Sequence, residues 1–95
     1  MQVVYTRAVN TPTTNHYIYL LRCADGSLYC GYTTDVSRRL AEHNGDGKVA
    51  GAKYTSGRRP VVLVHSEVFA TRSDALKREA EIKKLSVVQK RKLFL

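Results

Sequence analysis

The apolar positions of this chain fall into strand-like runs first and helix-like spacings afterwards. From His16 a dense run, Tyr17-Ile18-Tyr19-Leu20-Leu21, is followed by Ala24-Asp25-Gly26 and then by Leu28-Tyr29-Cys30-Gly31-Tyr32. Two aromatic and β-branched runs about an Asp-Gly turn predict a β-hairpin. A three-residue loop with Gly26 in the left-handed region pairs Cys23 with Ser27, Leu21 with Tyr29 and Tyr19 with Gly31, whereas a two-residue Asp25-Gly26 loop shifts the pairing by one. The three-residue loop is the reading adopted. It sets Tyr19 and Tyr29 on one face as diagonal neighbours and Cys23 and Cys30 on opposite faces, where no disulfide can join them.

Beyond the hairpin the period changes. Thr34 is expected to cap a helix from Asp35 to His43 that stops at Asn44-Gly45. At about 100° per residue Val36 and Leu40 form its apolar stripe, with Arg39 and His43 on the same side and Arg38 turned away. Residues 45 to 59 hold four of the six glycines and read as a mobile loop ending in Arg58-Arg59. Val61 to Phe69 is the third strand. Thr71 caps a further helix with Asp74 in its first turn, and Ala75, Leu76, Ala80 and Ile82 are expected to supply its buried stripe. A last short helix after Ser86 is expected to pack Val87 and Val88 inward and expose Lys90-Arg91-Lys92. Residues 1–15, rich in Thr and Asn, read as a flexible N-terminal arm, and 16–95 as one α+β domain, a small three-stranded antiparallel sheet flanked by helices.

Charge changes this picture. The 95 residues carry 16 Lys+Arg against 8 Asp+Glu, a formal net charge of +8. Residues 1–50 hold five basic and four acidic side chains, while residues 51–95 hold eleven and four. With 43 % apolar residues this is a folded scaffold bearing a positive field, and nucleic acid is the first partner to consider. No run reaches the ~18 apolar residues of a membrane span, and no basic-then-apolar order opens the chain, so a cytoplasmic protein with no membrane partner is expected. Two cysteines in that setting read as small buried hydrophobes, and their spacing offers no zinc site.

Within this frame one carboxylate is anomalous. Glu79 lies between the Ala75/Ile82 and Leu76 directions of its helix, whereas Glu81 points to water. An inward carboxylate must be paired or hold a cation, because burying it alone costs several kcal/mol. One alternative is an internal ion pair with Arg39 or Arg72. The other is a phosphodiester-cleaving site made with Tyr19, Tyr29 and Arg39, since one carboxylate, a phosphate and water suffice for Mg²⁺. A phenol with a reference pKa near ~10 needs help to act as a base at neutral pH, which a guanidinium and a metal can give in part.

The ordered set Tyr17-Ile18-Tyr19, Leu28-Tyr29-Cys30-Gly31-Tyr32-Thr33, Arg38-Arg39-Leu40, Glu42-His43-Asn44, Ala52-Lys53-Tyr54-Thr55, Arg58-Arg59-Pro60 and Ala75-Leu76-Lys77-Arg78-Glu79 resembles the GIY-YIG nuclease superfamily, in particular its small stand-alone bacterial members. The resemblance runs from residue 16 to about residue 85. It implies a three-stranded sheet flanked by helices and divalent-metal-dependent hydrolysis of nucleic-acid phosphodiester bonds by an endonuclease with Mg²⁺ or Mn²⁺ as cofactor; DNA is the first substrate expected. It also implies that Tyr19 and Tyr29 are the tyrosines of the two motifs, Arg39 the helix arginine, His43 the histidine one turn later and Glu79 the metal-binding glutamate. Either tyrosine can then be the activating base. Lys53, Tyr54, Arg58, Arg59, Lys83 and Lys84 are the expected nucleic-acid contacts. The chain departs from the family pattern where Tyr17 replaces the first glycine, where Cys30 takes the centre of the second motif, and after Glu79, where no asparagine follows. A non-catalytic nucleic-acid-binding module is the competing reading, and an adaptor for an acidic protein the third.

Overall fold

A computed structural model describes residues 14–47 and 49–95; the arm expected over residues 1–15 lies almost wholly outside them. Strands β1 (His16–Arg22), β2 (Leu28–Thr33) and β3 (Val62–Phe69) form one antiparallel sheet in the order β2-β1-β3. Helix α1 (Val36–His43) and the single turn α2 (Lys53–Ser56) lie between β2 and β3 in the chain, and α3 (Arg72–Lys83) and α4 (Val87–Arg91) follow.

The hairpin adopts the three-residue loop. Tyr19 pairs with Gly31 and Leu21 with Tyr29, Cys23 N–H donates to Ser27 O at 2.8 Å, and Gly26 has φ +85°. Only a residue without Cβ takes that φ at no steric cost. Asp25 completes the turn by accepting the Ser27 N–H at 3.0 Å.

Alternation along β1 divides the core in two. Ile18 and Leu20 join Cys30, Ala75 and Ile82 beneath α3, while Tyr19, Leu21, Cys23 and Val61 gather on the other face with Tyr29 and Leu40. The two cysteines are free and buried in different layers. Five of these side chains, Ile18, Leu20, Leu21, Ala75 and Ile82, are fully buried. Each large one contributes roughly 1.5–3 kcal/mol, so the sheet is held from both sides.

Several boundaries differ from the sequence expectation, each for a local reason. Asp35, not Thr34, caps α1: its Oδ1 accepts the Arg38 N–H at 3.0 Å, and a carboxylate there also suits the helix dipole. Thr33 Oγ1 instead orders the preceding turn, accepting the Asp35 N–H at 3.1 Å. On α3, Ala75 and Ile82 are buried and Arg78 and Glu79 half-buried, whereas Leu76 and Ala80 face outward. The inward stripe therefore follows the i, i+3, i+4, i+7 spacing from Ala75 and includes Glu79. Val87 and Val88 are exposed, at 53 % and 64 %; Leu85, Leu93 and Phe94 pack on the core in their place, and Lys90 is half-buried. The glycine-rich loop is interrupted by α2, because Thr55 is drawn into the interior.

Candidate active site

Gly31 is where the site begins. A Cβ built there would stand 2.5 Å from Tyr19 Cζ and closer still to its hydroxyl, so the Tyr19 ring lies across β2 in space that only glycine leaves open. The ring is 2 % exposed. Its hydroxyl meets His43 Nε2 at 2.7 Å, and His43 Nδ1 meets Thr55 Oγ1 at 2.8 Å.

The direction of these bonds follows from counting protons. Thr55 has one hydroxyl proton and gives it to the Ala52 carbonyl at 2.9 Å, which can only accept. His43 Nδ1 must then be the protonated nitrogen that donates to Thr55. Nε2 is left with a lone pair and accepts the Tyr19 O–H. The Ala52 N–H also points toward Nδ1, at 3.4 Å, a weaker contact than the 2.8 Å bond to Thr55.

His43 is fully buried. Burial, then the charge of Arg39 and to a smaller extent that of Arg59, push its pKa down to about 4, with Glu42 opposing. The imidazole is therefore neutral near pH 7. Burial, with the nearby Tyr29, pushes the Tyr19 phenol up to about 12, against a lowering influence from Arg39. Tyr19 is thus a protonated phenol bonded to a neutral acceptor.

Depression of the His43 pKa has a consequence for stability. Between its unfolded value of about 6.5 and about 4 the unfolded chain binds the extra proton and the folded one does not. Stability rises with pH across that window and is lost as pH falls through it. From pH 7 to pH 5 the loss is expected to be about 1–2 kcal/mol, read as a lower urea midpoint. Glu67, held below the usual carboxylate range by Arg78, acts only at lower pH. His43→Gln is expected to flatten the pH 7 to 5 slope; an unchanged slope would assign it to another group.

Arg39 stands beside Tyr19 and half-buried. Its Nη1 donates to Glu42 Oε1 at 2.8 Å and to Ala50 O at 3.3 Å, and its charge bears on the Tyr19 hydroxyl. Glu42 is 7 % exposed, is approached by Arg38 Nε at 3.6 Å, and lies against Gly47 and the loop backbone. Sequence reading missed both Glu42 and Thr55 as members of the site. The available signal for Glu42 was its place three and four residues after Arg39 and Arg38; for Thr55 there was only its place in the Ala52-Lys53-Tyr54-Thr55 run. A groove of about 550 Å³ opens here, walled by Thr33, Thr34, Arg38, Arg39 and Glu42.

Tyr29 flanks the same network. Its ring is 5.1 Å edge-on from His43, 6.4 Å from Tyr19 and stacked at 5.7 Å on Tyr54. Arg58 lies 4.0 Å over Tyr54 and pairs with Asp25 at 3.1 Å, tying α2 to the hairpin turn. Arg59 Nε donates to His43 O at 2.8 Å and closes the end of α1. Lys53 is exposed on α2.

Glu79 comes from the other side of the sheet. It sits on α3, and its charge reaches both Tyr19 and the Cys30 thiol of β2. No hydrogen bond or ion pair joins it to Tyr19, Arg39 or Arg72 among the described residues. Its partner is Lys83, Nζ to Oε2 3.4 Å, and Glu79 keeps 18 % exposure. This corrects the alternative of an ion pair with Arg39 or Arg72: Arg39 is taken by Glu42, and Arg72 lies 5.7 Å over the Tyr32 ring. No cluster of three His, Cys, Asp or Glu side chains able to hold a metal exists among the described residues. A single carboxylate satisfied only by one long contact still suits a hard cation that keeps water and phosphate as its other ligands. No described helix is long and apolar enough to cross a membrane.

Residues 15–92 match the family described as GIY-YIG catalytic domain. A UPF0213 protein of Halobacterium salinarum is 56 % identical over 80 residues, covering 83 % of this chain and 99 % of that one. One from Staphylococcus haemolyticus is 56 % identical over 79 residues, covering 83 % and 93 %. The solution structure of a UPF0213 protein from Bacillus halodurans aligns with TM-score 0.53 at 51 % identity, covering 83 % of this chain and 81 % of that one.

Proposed function

The chain belongs to the GIY-YIG nuclease family, and from that premise we propose that it is an endonuclease hydrolysing phosphodiester bonds of DNA. The observation that carries the proposal is the hydrogen-bonded series Tyr19, His43, Thr55 beside the Arg39 guanidinium. Arg39 would bind the nonbridging oxygens of the scissile phosphate and neutralise the charge that grows there. A water beside that phosphate would then face the Tyr19 oxygen. As Tyr19 takes a proton from the water it would pass its own to His43 Nε2, whose basicity is held down in the free protein by burial and the Arg39 charge and would rise once a bound phosphate neutralises Arg39. A pKa of about 12 rules out a standing phenolate, so the relay replaces it. Thr55 holds the imidazole in the accepting tautomer.

Glu79 would hold the divalent cation, Mg²⁺ or Mn²⁺, which when bound supplies positive charge to the phosphate and the leaving oxygen. Tyr29 and Tyr54 wall the site. Lys53, Lys83 and Lys84 would contact the nucleic-acid backbone, while Arg58 and Arg59, already engaged with Asp25 and the His43 carbonyl, would touch it with their remaining N–H groups.

The test is cleavage of labelled duplex, nicked, branched and single-stranded DNA in Mg²⁺ or Mn²⁺. Glu79→Ala and Arg39→Ala are each expected to lower the rate by about 10²-fold. Equal cleavage by wild type and both variants overturns the proposal. A second reading, binding without cleavage, draws support from the pairing of Arg39 with Glu42; salt-dependent binding with no cleavage of any form would select it.

A further inference from the structure

We infer that Lys83 is a place-holding cation on Glu79, displaced when the divalent metal binds and released by that displacement toward the nucleic-acid phosphate. The inference rests on the reading of Glu79 as metal ligand.

Glu79 is a half-buried carboxylate whose sole ion-pair partner among the described residues is Lys83. The contact is 3.4 Å, long for a charge-assisted bond, and the Lys83 side chain is 55 % exposed. Among the described residues neither bidentate geometry nor a second acceptor holds the ammonium, so it can leave without orphaning a buried group. The partners are i, i+4 on one helix, a spacing that makes exposed pairs weak. Lys83 therefore shields Glu79 without locking it.

Occupancy follows from charge. A divalent ion takes the carboxylate oxygens at about 2.0–2.1 Å, where the ammonium now points, and the two cations repel. The metal must displace the lysine, and the lysine lowers metal affinity until it is displaced. Its four-carbon stem then carries the ammonium to the nearest anion. A phosphate that attracts Lys83 removes the competitor, so metal and phosphate must help each other bind, by equal factors.

The experiment uses the full chain, ¹⁵N-labelled and without nucleic acid, titrated with Mn²⁺ while paramagnetic broadening of amide signals around residue 79 is followed. Lys83→Met is expected to lower the half-saturating Mn²⁺ concentration about three- to tenfold. Lys77→Met, on the outward face of α3, removes the same charge and is expected to leave it within twofold. Adding thymidine monophosphate as the phosphate probe should narrow the gap between wild type and Lys83→Met. Half-saturation in Lys83→Met equal to or above wild type overturns the inference, and a gap that thymidine monophosphate leaves unchanged overturns the coupling. Glu79→Gln separates the layers: broadening that survives it overturns the metal-ligand reading along with the inference, whereas broadening that vanishes while Lys83→Met resembles wild type overturns the inference alone.

Discussion

Tyr19→Phe is expected to slow phosphodiester cleavage by about 10³-fold, within the range of a lost general base, while the protein stays folded. Phenylalanine keeps the ring across Gly31 and removes the one hydroxyl that His43 Nε2 contacts at 2.7 Å. The cost to the fold is a single buried hydrogen bond, about 1–2 kcal/mol with the orphaned nitrogen included. Single-turnover cleavage and thermal unfolding measured side by side separate the two effects. Tyr29→Phe supplies the contrast. The Tyr29 ring packs on His43 and Tyr54, but its hydroxyl has no hydrogen-bond partner among the described residues, so its loss is expected to cost about tenfold or less. A larger effect from Tyr29→Phe than from Tyr19→Phe would make Tyr29 the base and end the relay through His43.

Gly31→Ala is expected to be strongly damaging for the addition of a single methyl group. The added Cβ would stand 2.5 Å from Tyr19 Cζ, a distance no pair of carbons tolerates, and the Tyr19 ring is buried with the Tyr29 and His43 rings 6.4 and 5.7 Å away. Either β2 bends away from β1 or the phenol swings off His43. Overpacking of this kind costs about 2–3 kcal/mol, roughly 10–20 °C in Tm for a domain this small, and it also removes the relay. Gly26→Ala is the control for glycine substitution as such. Its φ of +85° makes alanine strained, but nothing lies within 4 Å of the new Cβ, so a loss of about 1 kcal/mol with cleavage retained is expected. Equal losses at both positions would show that Gly31 matters for strand conformation and not for the seat it gives Tyr19.

These two positions also mark how much of the site was legible in one dimension. The hairpin was readable because side-chain alternation has a period of two: once Ala24-Asp25-Gly26 is the loop, Tyr19, Tyr29 and Gly31 have no freedom in where they fall. Arg39, His43 and Glu79 stood out as candidates because a helix repeats in 3.6 residues and each lies beside apolar positions. The same reasoning misplaced Leu76 and Ala80, which flank the true inward row of Ala75, Glu79 and Ile82 by one position. A helix wheel locates a stripe only to within its width, and on α3 the apolar residues span more of the circumference than the sheet covers. Val87 and Val88 misled for a related reason. Leu93 and Phe94, later in the chain, fill the space under α3 and β1, and order of appearance says nothing about which apolar residue arrives.

The amino-acid sequence by itself determined the strand and helix periods, the hairpin register, the excess of positive charge after residue 51 and the identity of the groups that chemistry could use. All of these are local: they depend on the spacing of a few neighbours and on each side chain's intrinsic properties. Tertiary structure decided which groups meet. That Thr55 orients His43, that Glu42 rather than Glu79 holds Arg39, and that Lys83 covers Glu79 depend on how the loop after α1 folds back and on how α3 is rotated against the sheet. Hydrogen bonds and ion pairs act over about 3–4 Å. Their partners are selected by packing of the whole domain, which no local period encodes.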